Sequence, residues 1–402
     1  MKKILVLNSG SSSVKYQLFE AEGEQFISLA KGMVERIGLP GSVISYSSQT
    51  EPKLSKQMDF PNHEAAIKEL LQVLLRHNIK SLDEIDAVGY RMGHGGEYFD
   101  KSVIIDDDVK AKIYDAVSLI PLHGPAFVLC LEAVNRLLPQ ITQVAAFDSA
   151  YHQTMKKEAF LYALPIEQYE KYHIRKYGFH GTSHAYIAQQ AEKMLGYRGK
   201  VISCHLGSGA SITAIEDGKS VDTTMGFTPM VGMIMGTRCG DLDAYVPFHI
   251  MKTQNKTMDE VNMMLNKESG LLGLSGYSDM REIQEHYIAG EERAITAINV
   301  YIHQLIKHIG SFAAVLNGLD ALVFTGGVGE NSSFIRKLVC QRLGYLGVML
   351  NDKANHISGQ EAVISAAESK VKVLVIPANE ELMIAQDTYR LINDAEKLEK
   401  TA

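Results

Sequence analysis

The stretch ILVLNSGSSSVKYQLFEAEG, residues 4–23, returns in altered form as VISCHLGSGASITAIEDG, residues 201–218. Each copy reads as an apolar strand, a polar residue (Asn8 or His205), a Gly-Ser turn, an alternating second strand and an acidic-Gly turn. The copies stand about half the chain apart, so the repeat predicts a duplicated α/β fold with one small-residue hairpin in each half. At a tip built of Gly and Ser no Cβ keeps the backbone N–H groups from an anion, which makes both tips candidate phosphate loops. Gly10 with Ser9, Ser11, Ser12 and Ser13 meets that need, and so does Gly207-Ser208-Gly209; Lys15 adds a point charge. No GxxxxGK[ST] occurs, which excludes a P-loop.

The bulk numbers fit this picture. A chain of 402 residues is long for one core and predicts two domains. With 46% hydrophobic and 22% charged residues it has the composition of a soluble globular protein. A net charge of −7 argues against a nucleic-acid partner but allows a local basic pocket for an anionic substrate. The opening MKKILVL breaks too soon for a signal-peptide core, and no run approaches the roughly 18 apolar residues of a membrane span. Cys130, Cys204, Cys239 and Cys340 are scattered without a CxxC pair, so neither zinc nor a disulfide framework is indicated. A cytosolic protein is expected.

Between the hairpins, helical and extended patterns alternate. Residues 63–77, 124–138 and 292–316 place apolar side chains at helical spacing. Residues 86–90, 143–147, 200–204, 321–325 and 371–377 read as strands, several of them apolar enough to be buried on both faces. Such alternation is the signature of an α/β architecture. The polar tail after about Leu391 is expected to fray.

A second group of residues is not explained by phosphate loops alone. Arg91 follows the strand DAVGY, Asp148 follows QVAAF, and Arg238 stands in the glycine loop MGTRCGDLD. His180 precedes Thr182 and Ser183, expected caps of a helix beginning near His184. Ionisable groups at strand ends and in glycine loops are where catalytic groups usually sit. His180 and His184 have the spacing of a zinc pair, but Gly181 lies between them and no HExxH is present, so no zinc site is assigned. FTGGVGEN, residues 324–331, follows a strand with three glycines and offers an open backbone path to a ligand.

Taken together, NSGSSSVK, RMGHGG, PLHGP, FDSAYH, RKYGFHGTSH, HLGSGAS, GKSVDTTMGFTPM, MGTRCGDLD, FTGGVGENS and PANEELMIAQDT resemble the acetate kinase family, in order and along essentially the whole chain. That family belongs to the acetate and sugar kinase, Hsp70 and actin superfamily. The resemblance implies a duplicated actin-like, ribonuclease H-like two-domain fold with the active site in the interdomain cleft. The amino-terminal domain would be residues 1–148 completed by the last helix, about 382–402, and the nucleotide-binding domain residues 149–381. It implies reversible transfer of the ATP γ-phosphoryl group to a short carboxylate, giving an acyl phosphate and ADP. Its ligands would be a small carboxylate and ATP/ADP with Mg²⁺ (Mn²⁺ also serving), without nucleic acid or membrane, in a cytoplasmic homodimer.

Carried over by motif, Asn8 and Glu380 would help hold the metal and Lys15 would approach the phosphates. His205, Leu206, Gly207, Ser208 and Gly209 would form the phosphate loop. Asp279, Met280 and Arg281, with Gly327, Val328, Gly329, Glu330 and Asn331, would surround the nucleoside and its phosphates. Arg91, Asp148, His180 and Arg238 would form the reacting centre, and Gly93, Leu122, Phe179 and Pro229 the small apolar pocket for the substrate methyl group. A carboxylate needs no general base, so Asp148 is expected to orient Arg91, water or metal. Three departures stand out: Ser208 replaces the family's asparagine and removes an amide contact, Cys239 replaces a serine, and Gly93 replaces a valine. The last suggests a propionate-preferring kinase as an alternative. More remote are a sugar kinase, with Asp148 as a true base, and a non-catalytic nucleotide-switched module.

Overall fold

The structure, a computed structural model, describes residues 1–117 and 124–401. Contacts divide the chain into two compact units: Met1–Tyr151 together with Asn379–Ala402, and His152–Ala378.

The first unit contains β1 (Lys2–Gly10), β2 (Ser13–Glu22), β3 (Gln25–Glu35), β4 (Val43–Ser48), β5 (Leu54–Gln57), β6 (Ala87–Met92), β7 (Val103–Ile104) and β8 (Thr142–Phe147). They form one sheet in the order β5-β4-β3-β2-β1-β6-β8-β7. The continuous apolar run at the start of β1 is explained by burial on both faces. Leu5 and Leu7 pack with Leu70 and Leu74 of the helix His63–His77 and with Leu131 and Val134 of Gly124–Leu137. Ile4 and Val6 face the other way, against Ile384 and Ala385 of the last helix. That helix lies so close to β6 that a Cβ on Gly89 would collide with Thr388 and Ile384.

The second unit contains β9 (Val201–Leu206), β10 (Ala210–Glu216), β11 (Lys219–Thr223), β12 (Ala321–Thr325), β13 (Ala362–Val363) and β14 (Lys372–Val375), in the order β11-β10-β9-β12-β14-β13. Ile298, Tyr301 and Leu305 of the helix Glu292–Val315 belong to the same core as Ile202, Cys204 and Ile212 of the sheet.

The repeat seen in the sequence is a repeat of structure. β1 pairs antiparallel with β2 and parallel with β6, bringing Asn8 level with Arg91. β9 likewise pairs antiparallel with β10 and parallel with β12, bringing His205 level with Thr325. The α/β two-sheet fold is therefore as expected.

The carboxy-terminal tail is not. The helix Glu380–Thr401 runs on past Leu391, because its apolar stripe continues through Ile392 and the exposed turns are held by Lys397–Asp394 and Lys2–Glu396 ion pairs. Among the described residues no helix is long and apolar enough to cross a membrane.

Candidate active site

In the first unit the strand ends converge on one arginine. Arg91 stands on β6 beside Asn8, which is itself level with Lys15 on β2. Asp148 follows β8, its backbone N–H donating to Met92 O at 2.8 Å. The Arg91 guanidinium donates from Nε to Asp148 Oδ1 at 3.1 Å and from Nη2 to Asp148 Oδ2 at 2.7 Å. Glu380, the first residue of the last helix, places Oε1 at 3.6 Å from the same Nη2. Burial works to lower the Arg91 pKa, but the Asp148 and Glu380 carboxylates outweigh it and hold the pKa above its ordinary value. Lys15 is exposed. The half-exposed Gly93 lies just beyond β6, where the neighbouring Gly95 N–H donates to Ser149 Oγ at 2.9 Å. Leu122 lies outside the described residues.

The second unit gathers a different set. His180 sits at the N-terminus of the helix Gly181–Leu195 in the left-handed conformation, φ 56°. Conformations of this kind in a non-glycine residue are costly and cluster at functional sites. Its ring lies 4.4 Å from that of His205, centroid to centroid. At the tip of the β9–β10 hairpin, a Cβ on Gly209 would stand 3.4 Å from His180 Nε2 and 3.8 Å from Arg238 Nη1. The bare backbone at Gly209 is thus bordered by an imidazole and a guanidinium. Arg238 Nη1 donates to Pro229 O at 3.0 Å, and among the described residues no carboxylate pairs with it. Burial pulls its pKa below the ordinary value. A partly desolvated guanidinium without a counter-anion is a receptor for one.

Beside this cluster, and within the same unit, lies a cavity of about 900 Å³. Gly207 and Ser208 of the hairpin tip line it, as do Asp279, Met280, Arg281, Gly327, Val328 and Asn331. The volume suits a nucleoside and its phosphates. Arg281 folds back on Asp279, donating from Nη2 to Oδ2 at 2.6 Å, and these hydrogen bonds lower the Asp279 pKa to about 2. The loop FTGGVGEN leaves β12 as the short helix Gly326–Asn331, with Gly326 at φ 74° against the Leu206 backbone.

Some expected site residues point elsewhere. Leu206 is a core side chain and Gly329 is buried. The Glu330 carboxylate accepts from the Gly326 and Ala378 N–H groups at 2.9 and 2.8 Å, so it braces the loop. Phe179 is buried, and its carbonyl is hydrogen-bonded to His152 Nε2. Thr182 and Ser183 do not cap the helix, which begins earlier, at Gly181. The left-handed turn at His180 feeds the chain straight into it, and Ser183 Oγ is instead hydrogen-bonded to His205 Nδ1 at 2.8 Å.

Other contributors escape a sequence reading. Arg336 is fully buried and donates to the carbonyls of Gly329 and Glu330, to Ile357 O and twice to Asn355, which anchors the glycine loop from behind. Tyr301 lines the cavity and its buried hydroxyl has no hydrogen-bond partner among the described residues. Its helical spacing marks it only as core. Ser203 and Ser211 place hydroxyls inside buried strands, the signal by which a polar network could have been found. Among the described residues no group of three or more His, Cys, Asp or Glu side chains is arranged to hold a metal.

The buried histidines make a prediction about stability. Burial lowers the His152 pKa to about 4, and burial followed by the rings of His152 and His205 pushes His184 well below 6.5. Both fold neutral, whereas the unfolded chain protonates them near 6.5. The unfolded state therefore binds more protons below that pH, so their contribution is full above about pH 6.5 and is lost on acidification, at about 1.4 kcal/mol per pH unit per ring. Thermal melts between about pH 7 and about pH 4.5 should show a falling Tm, with a shallower fall in His152→Gln. An unchanged slope in that variant would remove His152 as a source.

Comparison with known proteins gives a consistent result. The model of the acetokinase family matches residues 3–386. An acetate kinase from Carboxydothermus hydrogenoformans is 49% identical over 396 residues, 97% of this chain and 99% of its own length. One from Desulfitobacterium hafniense is 51% identical over 397 residues, with the same coverage. Among solved structures, Porphyromonas gingivalis acetate kinase superposes with a TM-score of 0.92 at 44% identity, covering 98% of this chain and all of that one. A propionate kinase from Francisella tularensis also reaches 0.92, at 42% identity over 97% of this chain and all of its own.

Proposed function

Since the chain belongs to the acetokinase family, we propose that its expected site residues serve that family's reaction between a carboxylate and ATP. The protein is an enzyme, a phosphotransferase with a carboxyl group as acceptor. It converts acetate and ATP reversibly to acetyl phosphate and ADP. The observation that carries the site assignment is Arg238, a partly buried guanidinium without a carboxylate partner among the described residues, next to His180 and the bare Gly209 backbone.

The chief obstacle to this reaction is electrostatic, because both reactants are anions and phosphoryl transfer asks mainly for positioning and charge neutralisation. A carboxylate oxygen attacks the γ-phosphorus, a new O–P bond forms, and the bond to the β–γ bridging oxygen breaks. ADP departs with that electron pair, and no proton is removed from the nucleophile. Arg238 neutralises the transferring phosphoryl group, His180 donates to one of its equatorial oxygens, and the tip amide at Ser208 receives the nucleotide phosphates, the Gly207 N–H being already given to Gly209 O at 3.0 Å. Arg91 takes the carboxylate. Asp148 holds its guanidinium in a fixed plane through two hydrogen bonds, a positioning role that leaves it no proton to abstract.

Asn8 and Glu380 offer oxygen donors at the Arg91 cluster, the donor type that Mg²⁺ or Mn²⁺ prefers. They would hold the metal, which supplies positive charge against the nucleotide phosphates when bound. The protein is read as a cytoplasmic homodimer. Exposed Phe248, Met258 and Met263 on the neighbouring helices Val246–Gln254 and Met258–Met263, with Tyr245 just before the first, support the second subunit; sedimentation as a monomer would refute it. Trapping acetyl phosphate with hydroxylamine tests the reaction itself, and failure to form hydroxamate from acetate and ATP would overturn the whole reading.

The acyl group accepted depends on Gly93. Hydrogen in place of a valine side chain removes three carbons of pocket wall, and each methylene buried is worth about 0.8 kcal/mol. Propionate should be used about as well as acetate, or better, with butyrate weaker. Gly93→Val should shift relative kcat/KM toward acetate by roughly tenfold or more. A wild type that rejects propionate, with the variant unchanged, would remove Gly93 as the determinant.

A further inference from the structure

A row of hydrogen bonds runs inward from His180. Its Nδ1 lies 2.9 Å from Ser211 Oγ on β10, and the same hydroxyl lies 2.8 Å from Nε2 of His184, one turn along the helix. His184 Nδ1 meets Ser203 Oγ on β9 at 2.9 Å. Ser203, Ser211 and His184 are all fully buried. Among the groups facing the His180 ring are His205 from β9, Arg238 across Gly209, and Ser211 in front of His184.

These bonds cannot be set independently. A hydroxyl has one proton to give and two lone pairs to accept with, and a neutral imidazole has one N–H; were both rings to donate to Ser211, its buried O–H would be left without an acceptor among the described residues. His184 is held neutral by its burial. If its Nε2–H donates to Ser211, the serine proton goes to His180 Nδ1, and His180 must then carry its own proton on Nε2. Nε2 is the atom that borders Gly209 and Arg238, where the phosphoryl group is proposed to pass. With the row reversed, His180 donates from Nδ1 and a neutral ring presents a lone pair to anionic oxygens. Only the first order gives a donor there without an added charge.

We propose that Ser211 and His184 are positioning residues that fix His180 as its Nε2–H tautomer, so that the neutral ring donates to the transferring phosphoryl group. The row of hydrogen bonds stands without the carboxylate kinase reading, but the choice between its two orders rests on that reading. The left-handed backbone at His180 is a second constraint on the same ring, set independently of the serines.

Two measurements test it on the intact enzyme. In ¹⁵N-histidine spectra of the wild type, the His180 signals, identified by their loss in His180→Gln, should report a protonated Nε2 and an unprotonated Nδ1. In kinetics, wild-type kcat should stay level from near neutrality to mildly alkaline pH, since the donor does not depend on an imidazolium. Ser211→Ala should lower kcat by about 10- to 100-fold with little change in KM, and should introduce a decline on the alkaline side. Ser211→Thr, which keeps the hydroxyl, should restore most of the rate and the level profile. A protonated Nδ1 in the wild type, or a Ser211→Ala enzyme with normal kcat and profile, would overturn the proposal. Loss of rate in Ser211→Thr and Ser211→Ala alike, with a level profile in both, would also overturn it and leave a packing role. Hydroxamate formation by the wild type is scored separately, so failure of the tautomer assignment is distinct from failure of the kinase reading.

Discussion

Arg238→Ala is expected to lower kcat/KM for acetate by about 10²- to 10³-fold, the range seen when one preorganised donor to developing charge is removed. The same substitution should leave the Tm unchanged or slightly higher. Arg238 pairs with no carboxylate among the described residues, and its guanidinium carries a desolvation cost that alanine does not. Activity and stability should therefore move independently. Arg238→Lys should recover only part of the rate, because an ammonium supplies charge without the planar fork that matches a phosphoryl edge. Steady-state kinetics read by hydroxamate trapping, beside a thermal melt, check both halves. Near-normal hydroxamate formation by Arg238→Ala would place the reacting centre elsewhere.

Arg91→Ala should also cost at least about 10²-fold in kcat/KM, but with the opposite effect on stability. Removing this guanidinium takes from the buried Asp148 and the partly buried Glu380 the positive charge that Arg91 supplies. Breaking a buried pair in this way typically destabilises by about 3–5 kcal/mol. Adding Asp148→Asn to Arg91→Ala should return much of the lost Tm and none of the lost rate. Asp148→Asn alone should slow the enzyme without creating or removing a pH limb near neutrality, since no substrate proton must be taken. A wild-type basic limb near about pH 6 to 7 that vanishes in Asp148→Asn would instead make Asp148 a general base. That outcome would favour the chemistry of a hydroxyl-directed kinase.

Much of the fold was legible along the chain because the forces that set it are local. The apolar run of β1 and its Gly-Ser tip announce a strand and a turn wherever they occur, and their echo at β9 announces a second copy. The helix His63–His77 and the strand β12 fall on the residues that their periodicity marked. Residue type and place at strand ends and glycine loops marked Arg91, Asp148, His180 and Arg238, whereas Glu380 entered only through the family resemblance. Burial patterns fix such elements within a few residues of one another, so a window of sequence contains the information.

Partnership across the fold is another matter. That Arg91 is neutralised while Arg238 is not follows from Asp148 standing on the adjacent strand end, 57 residues away in the chain, and from no acid reaching Arg238 among the described residues. Both arginines look alike in sequence. Glu330 sits in the most nucleotide-like motif yet turns its carboxylate onto two backbone amides. The polar tail stays helical because it continues a helix docked on β1 and β6 through Ile384, Ala385 and Thr388 and buries Ile392 itself, a gain that its own composition does not reveal. The sharing of one serine hydroxyl by His180 and His184 depends on β10 passing under a left-handed turn. Sequence determined which chemical groups the protein owns and the strands and helices that hold them. Tertiary structure alone decided which charges meet and which remain desolvated without a counter-charge, because those outcomes depend on distances between residues far apart in the chain.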